Sequence, residues 1–310
     1  MLTKPMDVLT QFPVRKTKNQ KQAFRDAVQS YVKTLGYESC VEQGSLGARN
    51  LIIGDPAKAS YLITAHYDTC ARLPVPNLIT PCSLLSFIGC QIFLTLVILL
   101  PGFLLGIVGG ILLNNSAAVG ILCYVFVVLM ILLMLIGPAN PSNANDNTSG
   151  VVTLLEIARS LPENQRSRVC FVLFDLEEAG LIGSASYRKA HKKETDRQTV
   201  LKLDCVGEGD EIRMFPTKRL KKHISRIRPL YRGCGYFGIK SLLMVDKGFS
   251  IYPSDQSNFP YGVGIAALKK SKFGLYLGRI HTSRDTILEE TNVNILRAAI
   301  ITMISCDAVN

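Results

Sequence analysis

Two histidines and five acidic residues carry the chemistry in this chain: His66 and His281, with Asp68, Asp146, Glu177, Glu178 and Asp204. Each has an ordinary reading. His66 could be a hydrogen-bonded core histidine, Asp146 a helix cap, Glu177-Glu178 a solvated pair, and His281 a loop residue. Together they are a donor set that suits zinc, which accepts imidazole and carboxylate alike. Two adjacent glutamates point in different directions, so one can hold a metal while the other faces water. Two cations would let this many carboxylates share a site, because bound ions invert the local charge logic.

The predicted elements bring these residues to one edge. Asn50–Ile53 and Tyr61–Ala65 read as short strands, and the second runs into His66-Tyr67-Asp68. Val169–Phe174 is continuously apolar, as a strand buried on both faces would be, and Glu177-Glu178 follow it at the head of a helix expected over Glu177–Lys189. Val200–Leu203 is a strand that ends at Asp204, and Asp146 precedes a helix expected over Thr148–Ser160. In parallel α/β sheets, ligands bind at the carboxyl ends of the strands, and these residues all fall there. Helical spacing over Asn19–Leu35, closed by Gly36, further strands at Ser241–Val245 and Val263–Ala267, and an amphipathic helix over Asn292–Ser305 complete the pattern. Strands alternating with helices predict a mostly parallel, twisted α/β sheet with helices on both faces.

Between His66 and Asp146 the pattern breaks. No Asp, Glu, Lys, Arg or His occurs from Leu73 to Asn145. Cys82–Leu113 and Ala117–Ile136 are apolar around a polar turn at Asn114-Asn115-Ser116, with Pro101 inside the first run. A spanning helix needs about 20 residues, so this insert reads as a transmembrane hairpin; a pair of buried core helices seldom stays apolar all round for that length. The chain thus divides into a first catalytic part (1–81), the hairpin (82–137) and a second catalytic part (138–310).

The net charge of +11 favours nucleic acid, anionic membranes or acidic ligands. With such an insert the lipid bilayer is the simpler partner, and no nucleic-acid-binding pattern is present. Nine cysteines without a C-x-x-C pair point to free thiols rather than a disulfide framework. The first residues carry no apolar signal core, and the turn at Asn114–Ser116 has no Lys or Arg while the flanking parts are basic. A cytoplasmic catalytic domain is therefore expected. The basic stretch from Lys218 to Arg232 is either a solvated face or a lipid contact. Fully extended, the links Asp68–Cys82 and Ile136–Asp146 reach at most about 35–50 Å. The metal site is therefore expected near the bilayer, where a membrane-associated substrate could reach it.

Five segments occur in an order that resembles family twenty-eight of the metallopeptidases, the co-catalytic zinc aminopeptidases. They are Ala65-His66-Tyr67-Asp68, Asn145-Asp146-Asn147-Thr148-Ser149-Gly150, Glu177-Glu178-Ala179-Gly180-Leu181-Ile182-Gly183-Ser184, Leu203-Asp204 and His281-Thr282-Ser283-Arg284-Asp285-Thr286. The resemblance implies two zinc ions: His66 and Asp204 on one, Glu178 and His281 on the other, and Asp146 bridging them. It implies Glu177 as general base and Asp68 as the partner that fixes the His66 tautomer. Ser254-Asp255-Gln256 resembles a further segment near the substrate, where the family often has His in place of Gln256, and makes Asp255 a substrate-side candidate. The implied activity is removal of N-terminal residues from peptides by a metal-activated water. The alternatives are a single-zinc enzyme resembling glutaminyl cyclases, or a receptor or scaffold of the same fold without catalysis. A transporter fits less well, since two spans enclose too little.

Overall fold

Tyr61–His66 and Val169–Phe174 are buried along their whole length and pair as parallel neighbours. Strands covered on both faces need no polar alternation, which is why both read as unbroken apolar runs. The computed structural model describes residues 2–73, 75, 77–272 and 274–306. Its strands are β1 (Ser39–Gln43), β2 (Arg49–Ile53), β3 (Tyr61–His66), β4 (Val169–Phe174), β5 (Thr199–Leu203), β6 (Glu211–Pro216), β7 (Gly235–Phe237), β8 (Lys240–Met244), β9 (Gly262–Ser271) and β10 (Gly274–Tyr276). Its helices are α1 (Asp7–Gln11), α2 (Lys18–Thr34), α3 (Leu84–Leu112), α4 (Ala117–Ile136), α5 (Gly150–Ser160), α6 (Ile182–Ala190), α7 (Lys192–Thr195), α8 (Lys218–Lys221), α9 (Ile224–Tyr231) and α10 (Glu290–Cys306).

The strands form one ten-stranded sheet in the order β1-β2-β4-β3-β5-β9-β6-β8-β7, with β10 paired to β9 beside that path. The centre, β4-β3-β5-β9, is parallel. β2 and β6 join it antiparallel, as do the edge strands β1 and β7 to their neighbours, so the sheet is mixed. Pairing sets His66 opposite Phe174 and Thr64 opposite Lys202. β3, β4 and β5 therefore end at one level, and Asp204 follows at the height of His66.

Alternation along the strands divides the core. Ile63, Ala65, Phe171, Leu173, Leu201 and Leu203 pack with residues of α2, α5, α9 and α10 on one face. Leu62, Cys170, Val172, Phe174 and Val200 pack with Tyr187 of α6 on the other. Thr17 and Gln20 form a reciprocal capping box at the start of α2, and Gly36 beyond its end takes a positive φ of 85°. Several expected boundaries move, two of them beside the site. The helix after β4 starts at Ile182 rather than Glu177, because Leu176, Gly180 and Leu181 take positive φ and coil the chain into a turn. The helix after Asp146 starts at Gly150.

α3 and α4 are long and apolar enough to cross a membrane. They are no buried core pair: their most apolar windows are 11% and 0% buried. They pack on one another through a stripe of small residues. Gly102, Gly106 and Gly110 are the buried residues of α3. A Cβ at Gly106 would meet the Val119 carbonyl at 2.5 Å, and one at Gly102 the Phe126 ring at 2.9 Å. Glycine at this spacing lets apolar helices approach closely. Ala71 bridges Ala139 and so joins the hairpin's two roots, while Ile79 bridges Leu277 and ties the first root to the chain just after β10.

Candidate metal centre

His66, Asp146, Glu177, Glu178, Asp204 and His281 converge on one pocket of about 240 Å³, walled by Asn77, Ile79, Tyr252, Pro253 and Ile280 among others. The end of one strand and four loops supply them. His66 is the last residue of β3, fixed by ladders to β4 and β5 on either side. Asp204 follows β5 directly, and Ser254 Oγ donates to its carboxylate. Glu177 and Glu178 sit in the turn after β4, where their backbone N–H groups donate to the two Asp68 oxygens at 3.1 and 3.2 Å. The other end of that turn is pinned by Asp175, which takes Lys21 Nζ at 2.5 Å and the Arg49 N–H at 3.0 Å.

The loop that carries Asp146 is held residue by residue. Asn145 Oδ1 accepts from the Gly207 and Glu208 N–H groups, at 2.7 and 3.1 Å. Asn147 donates to the Leu203 carbonyl at 3.0 Å and accepts from the Gly150 N–H at 3.1 Å. Asp285 accepts from the Asn145 and Asp146 N–H groups at 2.8 and 3.0 Å, tying the His281 loop to the Asp146 loop. Polar side chains that satisfy buried backbone groups are the means by which irregular loops become rigid.

The functional atoms fall into two groups that share Asp146. His66 Nε2 lies 3.2 Å from Asp146 Oδ1, 3.6 Å from Asp204 Oδ1 and 3.9 Å from Glu177 Oε2. His281 Nε2 lies 3.2 Å from the other Asp146 oxygen and 3.5 Å from Glu178 Oε2. Behind His66, Nδ1 is 3.4 Å from Asp68 Oδ1. That contact is a near approach rather than an aligned hydrogen bond, since Nδ1 has no hydrogen-bond partner.

Electrostatics show what this donor set lacks. Burial and Lys202 pull the His66 imidazole down, but the Glu177, Asp146 and Asp204 carboxylates outweigh them and hold it well above its ordinary value. Burial likewise opposes protonation of His281, yet Glu178 and Asp146 hold it up at about 9. Burial pushes Glu177 well up and raises Glu178 to about 7. Carboxylates outnumber cations here, and protons make up the difference. A divalent ion is the other way to make it up. The buried Glu178 Oε1 also lacks a hydrogen-bond partner, and mutual distances allow a metal to be shared by His66, Asp146 and Glu178 or by His66, Glu177 and Asp204. The residues present therefore fit zinc.

Asp255 does not reach the pocket. Its carboxylate is fully buried, 2.5 Å from Lys202 Nζ, itself fully buried. This corrects the expectation that Asp255 meets substrate: the pair stands behind Asp204, where Lys202 counters the effect of burial and helps keep Asp204 ionised. Sequence reading passed over Lys202, although a lysine inside the apolar run Val200-Leu201-Lys202-Leu203 signals a buried cation that needs a partner. It also gave Asp285 no role. Cysteines form no disulfide among the described residues. Cys70 is close to Glu178 and His281, but burial holds its thiol well above the ordinary range.

A mixed α/β sheet with imidazoles and carboxylates gathered at the ends of its central parallel strands defines a zinc-dependent peptidase or a related enzyme. The chain belongs to peptidase family M28, whose pattern matches residues 133–304. His66 lies outside that stretch and joins the site through β3. No curated protein matches the chain. Solved structures resemble it in fold. A Zn-dependent exopeptidase from Parabacteroides distasonis matches 97% of this chain and 94% of its own, with 15% identity and a TM-score of 0.59. A glutaminyl cyclase from Porphyromonas gingivalis matches 98% and 96%, with 16% identity and a TM-score of 0.57. The LapA aminopeptidase of Legionella pneumophila matches 98% of this chain and 67% of its own, with 13% identity and a TM-score of 0.55.

Proposed function

We propose that the chain is a membrane-anchored aminopeptidase with two zinc ions, facing the cytoplasm. The observation that carries this reading is the pair of carboxylate–imidazole groups sharing Asp146, each through a different oxygen at 3.2 Å from a histidine Nε2. His66, Asp204 and Asp146 would hold one ion; His281, Glu178 and Asp146 would hold the other. Bound zinc supplies a Lewis acid for the scissile carbonyl and acidifies an attacking water. Glu177 would take the proton of that water and return it to the leaving amine. Asp68 holds the Glu177–Glu178 turn through both N–H groups and faces His66 Nδ1, which leaves Nε2 free for metal.

Support for the anchor is the length, apolarity and exposure of α3 and α4. Ile79 walls the pocket and α3 begins at Leu84, a link of at most about 18 Å. A membrane-associated peptide would therefore meet the site near the bilayer surface.

The glutaminyl-cyclase-like alternative requires one zinc and a cyclised product without water. Purified in detergent, the protein should contain two zinc ions per chain and cleave peptides with a free N-terminus far faster than N-acetylated ones. One zinc per chain with a pyroglutamyl product would replace the aminopeptidase reading, and equal cleavage of free and blocked peptides would make the enzyme an endopeptidase.

A further inference from the structure

A second cavity, about 730 Å³, adjoins the His281 loop where the hairpin returns to the sheet. Leu133 in the last turn of α4 and Pro138 just beyond it form one side; Arg72, Arg279, Arg284 and Thr282 form another. Three arginines thus line one space. Arg279 Nη1 is 3.0 Å from Glu208 Oε1, but that oxygen also takes Lys269 Nζ at 2.5 Å. Arg72 and Arg284 are exposed, and no carboxylate among the described residues pairs with either. Asp285, next in sequence, turns its carboxylate inward to the Asn145 and Asp146 N–H groups. The cavity therefore has an excess of fixed positive charge. The guanidinium fork matches phosphate oxygens in pairs.

The backbone here is held in a costly shape. Arg279 and His281 both take positive φ, 70° and 63°. The shape is kept by the Leu73 N–H donating to the His281 carbonyl at 2.7 Å and the Thr282 N–H donating to the Arg279 carbonyl at 3.2 Å. Strain of this kind in non-glycine residues gathers at binding sites.

We infer that this cavity binds the phosphate of an anionic phospholipid. The inference rests on the reading that α3 and α4 cross a bilayer. If they do, the last turn of α4 lies at the depth of the headgroups, where basic pockets beside membrane helices meet anionic lipid. A headgroup held by Arg279 and Arg284 grips the segment on both sides of His281 and so steadies one half of the metal centre.

The test uses the full chain in dodecyl maltoside, titrated with dihexanoyl phosphatidylglycerol, dihexanoyl phosphatidylcholine or inorganic phosphate, with thermal unfolding as the readout. Phosphatidylglycerol should raise the midpoint, half-saturating at a concentration about tenfold below that of inorganic phosphate, and phosphatidylcholine should not. Arg72→Gln with Arg284→Gln should weaken the response about tenfold or more, and Arg72→Gln alone should weaken it less. A double variant that responds like the parent, or equal effects of the two lipids, overturns the site. Inorganic phosphate acting at the same concentration as phosphatidylglycerol overturns the lipid source and assigns a free anion. A rise in KM confined to peptides with a free C-terminal carboxylate, with no lipid effect, makes the cavity a substrate subsite and also overturns the inference. The anchor is tested apart. Release of the parent from phosphatidylcholine vesicles by alkaline carbonate breaks the bilayer reading; retention without a preference for phosphatidylglycerol breaks only the headgroup site.

Discussion

The two halves of the candidate metal centre are built differently. His66 ends a central strand, its side chain is 1% exposed, and ladders hold it on both sides. His281 stands on a loop at φ 63°, with its side chain 16% exposed. What holds that loop comes largely from the hairpin roots: the Leu73 N–H donates to the His281 carbonyl, and Asn140 Nδ2 donates to the Thr282 carbonyl at 2.9 Å. One half is thus a property of the sheet, and the other of loops that the hairpin organises. The lesson is that a symmetric donor set can sit on supports of unequal stiffness, so the two proposed metal positions should differ in affinity.

Asp146 is common to both halves, and Asp146→Ala should have the largest effect. Zinc per chain, measured by elemental analysis, should fall from two to at most one weakly held ion, and turnover should vanish. Two retained ions would remove Asp146 from the shared position. Next comes Glu177→Ala, which should lower kcat by about 10²–10⁴-fold while both zinc ions stay. Loss of metal there would make Glu177 a ligand rather than the base. The comparison itself is sharpened by the supporting carboxylates. Asp68→Asn should weaken the His66 position by about 10–100-fold in zinc affinity. Asp285→Asn should act on the His281 side, because Asp285 joins that loop to Asp146. If competition with a chelator showed both variants losing the same ion, the halves would not be separate.

How far the sequence reveals this depends on the same difference. Strand runs such as Val169–Phe174 were legible because burial on both faces leaves an unbroken apolar signal. Placing His66, Glu177, Glu178 and Asp204 at the ends of those strands needed only the rule for parallel sheets. The hairpin was legible from length and apolarity. Edge strands were not: β1 is Ser-Cys-Val-Glu-Gln, partly exposed along its length, with no apolar alternation to read. Nor was the turn at Leu176–Leu181, where positive φ at leucine leaves no compositional trace. Asp255 misled because a carboxylate beside a family segment says nothing about burial; its partner Lys202 lies 53 residues away in sequence. The three arginines of the second cavity come from both sides of the hairpin and meet where its first root bonds to the His281 loop, through Leu73 to His281 and Ile79 to Leu277.

The smallest effect expected concerns protons in the metal-stripped protein. Folded His281 holds its proton up to about 9, against an ordinary 6.5, because Glu178 and Asp146 outweigh the opposing effect of burial. A raised imidazole adds stability that is complete below pH 6.5 and is lost as pH rises through 9. Glu178 acts in the same direction: burial lifts it from 4.5 to about 7, so the folded state keeps a proton that the unfolded chain releases, and stability falls across that interval. The thermal midpoint of the stripped protein should therefore decline from pH 5 to pH 9. Zinc replaces these protons, and its affinity rises as ligands deprotonate, so the gap between loaded and stripped midpoints should widen with pH. His281→Gln should flatten the stripped profile between about pH 6.5 and 9 and leave the lower part sloping. A variant with the parent's full slope in that upper window would show that His281 does not titrate with the pocket carboxylates. The loop-borne half of the centre would then not be coupled to Asp146 as its 3.2 Å contact implies.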